Sequence, residues 1–127
     1  MVCLDTDIII DFLRKDKNTI KKFSEFKENN IELKTTAVNT FELFKGALRS
    51  KQEDASESLS GLLTNLKILN FDFESSKKAA EIIEELRIKG EAIDPSDLMI
   101  ASIVIANNET LMTRNTKHFE KIPDLKI

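Results

Sequence analysis

Cysteine, histidine, proline and glycine are all scarce in this chain of 127 residues, which has one Cys, one His, two Pro and three Gly. Each scarcity excludes something. Cys3 alone forms no internal disulfide, and between Val2 and Leu4 it reads as a small buried hydrophobe rather than a reactive thiol. One Cys and one His, His118, leave no ordinary zinc site. So little Gly and Pro, with 41% hydrophobic and 32% charged residues, describes an ordered, helix-rich globular protein and not a disordered or fibrous one. Long apolar runs are missing too: residues 98–106 form the longest, are interrupted by Ser102, and fall well short of the roughly 20 residues that span a bilayer. The N-terminus has no basic secretory segment and meets Asp5 and Asp7 at once, so the expected location is the cytosol, with no membrane partner. Single domains commonly run to about 100–150 residues, and residues 1–127 are expected to fold as one.

Basic charge is also in short supply. The net charge of −3 and pI near 5.3 count at first against a nucleic-acid partner, because phosphate contacts call for a basic face. Distribution matters more than the sum. Gathered at one place, Asp5, Asp7, Glu42, Asp94 and Asp97 would account for more than the whole negative excess, leaving a mildly basic body around an acidic pit that cations would neutralise.

Hydrophobic patterning alternates strands with helices. A short buried strand at residues 2–4 precedes an apolar helix at 7–13, and an amphipathic helix at 18–28 carries Ile20, Phe23 and Phe26. A strand at 31–36 leads into a helix at 38–48, then a polar stretch over 50–58. Leu59, Leu62, Leu63 and Leu66 keep a helical period, followed by a strand at 67–71. The helix at 75–89 buries Ala79, Ile82, Ile83 and Leu86 and is closed by Gly90. A helix at 94–106, a strand at 110–113 and a fifth strand at 125–127 complete the chain. Strands joined by helical crossovers predict a three-layer α/β/α domain around a mostly parallel sheet of four to five strands, with ligands beyond the strands' carboxyl ends. The Phe residues at helical spacing are assigned to the core.

Asp5 stands directly after an apolar strand, where a carboxylate is unfavourable unless a charge partner, hydrogen bonds or a metal compensates it. It serves equally well as the N-cap of the next helix, and Asp7 fits that helix start. Glu42 sits between Phe41 and Leu43 and is accounted for first as a surface glutamate on a partly buried helix, although Gly46 one turn later removes bulk as if something must approach closely. Asp94-Pro95-Ser96-Asp97 spells a helix start with Asp94 as N-cap. Asp97 differs, because it heads the face formed by Ile100, Ala101, Val104 and Ile105. Carboxylates at buried edges keep their charge most readily with cations, and hard oxygen donors point to Mg²⁺ or Mn²⁺.

The stretches Leu4-Asp5-Thr6-Asp7 through Asp11, Thr36-Ala37-Val38 with Glu42-Leu43 and Gly46, Asp94 through Ala101, and Leu111 through Asn115 with Phe119 resemble, in order, the motifs of PIN domains, particularly VapC toxins of VapBC toxin-antitoxin pairs. The resemblance implies that Asp5, Glu42 and Asp97 bind the metal, with Thr6, Asp7, Asp94 and Thr113 around them. It also implies hydrolysis of RNA phosphodiesters without a covalent enzyme intermediate. Where many members carry a fourth acid this chain has Asn115, an asparagine also found in VapC-like sequences; it is assigned to orienting water or phosphate. Arg14, Lys45, Arg49 and Arg114 are candidates for RNA backbone contacts, although each is individually accounted for as a solvated charge. Structured RNA as substrate, a VapB-like antitoxin covering the groove and a homodimer are further implications. His118 is assigned no part in the reaction. Two alternatives stand beside this reading: a haloacid dehalogenase-like phosphatase with Asp5 as nucleophile and Asp7 as acid, and a PIN-like RNA-binding domain without catalysis, for which Asn115 is the argument.

Overall fold

The computed structural model describes residues 1–127. Strands β1 (Val2–Leu4), β2 (Leu33–Thr36), β3 (Lys67–Leu69) and β4 (Thr110–Met112) form one sheet in the order β3-β2-β1-β4. Every pairing is parallel, with Cys3 opposite Lys34 on one side and Leu111 on the other. Around the sheet lie α1 (Thr6–Leu13), α2 (Lys17–Glu28), α3 (Ala37–Arg49), α4 (Ala55–Leu63), α5 (Phe73–Ile88), α6 (Pro95–Ala106) and α7 (Thr116–Phe119).

Period-two alternation in β1 explains the three layers. Cys3 points into a core built with Leu86, Ile103 and Phe119 from α5, α6 and α7, whereas Leu4 joins Ile9, Leu43 and Leu59 from α1, α3 and α4 on the opposite face. Helix α6 is enclosed on nearly all sides, since Ser102 and Ile103 are buried with the expected Ile100, Ala101 and Val104, and Ser102 returns its hydroxyl proton to the Leu98 carbonyl.

The C-terminus departs from expectation. Residues 125–127 add only one bridge, Thr110 to Lys126, after a turn in which Asp124 takes φ 67. The polar stretch 50–58 is also partly helical, as α4 begins at Ala55 and places Leu59 and Leu63 one turn apart in the core. Helix α7 was not legible, for Thr116, Lys117 and His118 show no apolar period and only Phe119 anchors it. Not every helical Phe is core: Phe41 is 64% exposed and Phe73 is also largely in solvent, as is Ile83 to a lesser degree. Gly90, at φ 72, closes α5 as expected.

Lys34 in β2 and Glu109 before β4 form a buried ion pair beneath Cys3. Burial and then the Glu109 carboxylate push the Cys3 thiol up to about 12, so it is inert at neutral pH. One Glu109 oxygen, Oε2, has no partner, and the pair is therefore finely balanced against its desolvation. Breaking it by Glu109→Gln is expected to cost about 3–5 kcal/mol in urea unfolding. Replacing both partners, Lys34→Met with Glu109→Leu, should recover most of that loss; equal destabilisation of single and double variants would contradict the account.

Candidate metal centre

All four parallel strands end at the same edge of the sheet, and residues at three of these ends join one hydrogen-bond network there. Asp5 follows β1, Thr36 ends β2 and Thr113 follows β4. Asp5 is 5% exposed, and both its oxygens are engaged. Oδ1 accepts from the Thr6 backbone N–H and from Asn39 Nδ2, each at 2.9 Å, while Oδ2 accepts from the Thr113 hydroxyl at 2.6 Å. Asp5 is thus an N-cap, as one reading of the sequence allowed, but one that also draws donors from two other elements.

Asn39 is a further member of this network. It is fully buried in the first turn of α3, and its side-chain oxygen accepts from the Thr36 hydroxyl at 2.7 Å while the Thr36 Oγ1 accepts from the Asn39 N–H. This capping box fixes the amide so that Nδ2 reaches both Asp5 and Thr6 Oγ1. The Thr36-x-x-Asn39 spacing ahead of an apolar helix was the available signal. Thr6 passes the network on, donating its hydroxyl to Glu42 Oε1 at 2.9 Å.

The acids repel one another. Burial raises the Glu42 carboxyl above its ordinary value, helped by the Asp5 and Asp97 charges and opposed by Thr6 and Lys45. Asp97 is raised by burial first, then by Asp94 and Asp5, and is eased by His118, whose Nδ1 lies 3.5 Å from Asp97 Oδ2. Asp7 is raised chiefly by burial; its Oδ2 accepts the Arg114 N–H at 2.9 Å, and its buried Oδ1 has no partner. Asp5, Glu42 and Asp97 therefore share one field, although no three acidic, His or Cys side chains converge closely enough to form a finished metal cage. Carboxylate oxygens in an open, mutually repelling set suit a hard divalent cation that keeps several waters, and the donors fit Mg²⁺ or Mn²⁺ on that ground.

The other candidates separate. Asp94 caps α6 by accepting from the Ser96 N–H, and adds negative field to Asp97. Asn115 is exposed, with its N–H on Thr113 Oγ1 and its side chain uncommitted. Arg114 is engaged by Asp11 at 2.9 Å, which weakens its claim on phosphate. Lys45 lies 5.4 Å over the Phe41 ring, and Arg49 is exposed at the end of α3. Arg14, together with Lys15, lines a groove of about 900 Å³ that also includes Glu42, Gly46 and Ser58. Nothing in the chain itself approaches Gly46, and its missing side chain widens that groove.

A three-layer parallel α/β domain with paired strand ends feeding an acidic pit defines the class of protein. The chain belongs to the PIN domain family, whose model matches residues 2–125. It is 33% identical over 123 residues to Ribonuclease VapC2 of Rickettsia felis, covering 96% of this chain and 92% of that protein. To the tRNA(fMet)-specific endonuclease VapC of Salmonella typhimurium it is 26% identical over 125 residues, covering 98% and 93%. Among solved structures, it is similar to VapBC2 of Rickettsia felis bound to a promoter DNA fragment, with a TM-score of 0.90, 29% identity, and coverage of 99% of this chain and 96% of that one.

Raised carboxyl groups carry a sign. In metal-free protein, once the pH exceeds their folded-state pKa values, Glu42 and Asp97 are ionised in surroundings that favour their protonated forms, so each then lowers stability. That cost fades as pH falls toward their unfolded values of 4.5 and 3.8. Glu42→Gln and Asp97→Asn are expected to melt higher than the parent at pH 7 in the presence of a chelator, with the gap narrowing on acidification. A gap that does not change with pH would contradict the electrostatic origin.

Proposed function

We propose that the protein is a divalent-metal-dependent endoribonuclease and the toxin of a type II toxin-antitoxin pair. The observation that carries this reading is the fixing of Asp5 by Thr6, Asn39 and Thr113 beside Glu42 and Asp97 at the carboxyl end of a parallel sheet. PIN-domain nucleases generally depend on a divalent metal. Its relatives include proteins named ribonuclease and endonuclease VapC, and its structural neighbours include VapBC complexes, which supports RNA as substrate and a VapB-like protein as partner. The homodimer and the cytosolic location belong to the same proposal; no helix is long and apolar enough to cross a membrane.

Asp5, Glu42 and Asp97 would hold Mg²⁺ or Mn²⁺, which when bound supplies positive charge against the phosphate and lowers the pKa of water. The chain's own part is preorganisation. Three donors prevent Asp5 from turning away, and Thr6 holds one Glu42 oxygen while leaving the other uncommitted. The free amide of Asn115 is available to orient water or a phosphate oxygen, and Arg14 and Lys15 present positive charge along the adjoining groove. No side chain needs to act as a covalent nucleophile. The phosphatase alternative loses its basis, since the chain belongs to the PIN family.

Purified protein free of antitoxin should cleave sites in total RNA with Mg²⁺ or Mn²⁺ and not with chelator. Outer partners of a metal ligand alone typically change activity 10- to 100-fold, so Asp5→Asn and Asp97→Asn should each lose more than about 100-fold. Metal-independent cleavage, or full activity in both variants, would overturn the reading. RNA binding without cleavage under either metal would instead favour a non-catalytic PIN domain.

A further inference from the structure

Of the three acids at the centre, two are held by hydrogen-bond donors and one is not. Asp5 has three donors and Glu42 has the Thr6 hydroxyl, whereas Asp97 accepts no formed hydrogen bond. The one cationic or donor group facing it is the His118 imidazole, at 3.5 Å. We propose that His118 is a positioning residue for Asp97, and that residues 113–119 act as a bracket setting the spacing between the Asp5 and Asp97 carboxylates. The proposal rests on the metal-centre reading above.

The bracket follows from how the segment is tied down. At one end Thr113 Oγ1 donates to Asp5 Oδ2 and accepts the Asn115 N–H at 3.0 Å, so the turn into α7 is locked onto Asp5. At the other end Phe119 is wholly buried, and Ile122 follows it into the same core as Ile100 and Val104 of α6. A four-residue helix has no stability of its own, so these two attachments fix where α7 lies. His118, next to the Phe119 anchor, is thereby delivered to the first turn of α6 where Asp97 sits.

The imidazole is not there for packing. Its side chain is 66% exposed, and its contact with Asp97 is the one ion pair it makes. A separation of 3.5 Å is long for a hydrogen bond, but catalytic contacts of this kind commonly tighten when the site is filled. With a proton on Nδ1 the ring donates toward the carboxylate in either charge state. Held in this way, one Asp97 oxygen faces His118 and the other, which no donor of the chain engages, is left for a cation, and ligating carboxylates are generally held by such outer hydrogen bonds.

The test is the affinity of the purified full-length chain for Mn²⁺ alone, by calorimetry, beside its melting temperature in chelator. Outer partners of metal ligands typically contribute 10- to 100-fold, so His118→Ala should weaken Mn²⁺ binding by about 10-fold or more with the metal-free melting temperature little changed. His118→Asn, whose amide nitrogen falls near the Nδ1 position, should stay close to the parent, whereas His118→Gln, which reaches toward Nε2, should resemble the alanine variant. Parent-like binding in His118→Ala, with loss of binding in Asp97→Asn, would overturn the positioning role and leave the metal centre standing. Equal weakening in His118→Asn and His118→Ala would also overturn it. Parent-like binding in Asp97→Asn would remove Asp97 from the metal set, and the proposal with it.

Discussion

A carboxylate buried at the end of the central strand pair must find donors, and satisfying Asp5 organises the functional half of this molecule. Leaving such a group unpaired costs several kcal/mol, of the same order as a domain's whole stability of about 5–15 kcal/mol. Its donors come from the start of α1, the first turn of α3 and the loop after β4, so two segments distant in the sequence must converge on it correctly before one side chain is satisfied. Asn39 makes this possible because it is itself fixed by Thr36, and one capping box thereby both starts α3 and aims an amide at Asp5.

What the network does not satisfy is equally informative. Glu42, Asp97 and Asp7 are all raised by burial and by neighbouring acids, and a buried Asp7 oxygen has no partner at all. A protein selected for stability alone would not hold repelling carboxylates at a sheet edge, and functional sites are where such conflicts are tolerated. The Lys34–Glu109 pair, at the other end of the strands, is a contrasting use of buried charge: opposite signs meet directly and no ligand is called for.

The layers of the fold were legible because they depend on local periodicity: Cys3 and Leu4 alternate, α6 is apolar through most of its length, and Asp94-Pro95 announces a helix start. Asp5 and Asp97 were legible as carboxylates placed where carboxylates are costly, whereas Glu42 read first as a surface glutamate on a partly buried helix and joined them through the family resemblance. Contacts between residues far apart in sequence were not legible. Arg114 reads as a free cation until Asp11, on α1, is seen to hold it, and His118 reads as a surface residue until Phe119 is seen to carry it to Asp97. Gly46 marks a place free of side-chain bulk, and the structure sets it in the wall of the groove beside Glu42. Asn39 was missed because an asparagine in a first helical turn looks like ordinary capping, and only its complete burial reveals its second role.

The most direct measurement of the central claim is a crystal structure of the antitoxin-free protein soaked in Mn²⁺, with anomalous scattering used to locate the ion. The account predicts one strong anomalous peak within coordinating distance of oxygens of Asp5, Glu42 and Asp97, with waters filling the remaining positions and the Asn39 and Thr113 contacts to Asp5 unchanged. A peak bound elsewhere, or no ion among these three carboxylates at saturating Mn²⁺, would contradict it.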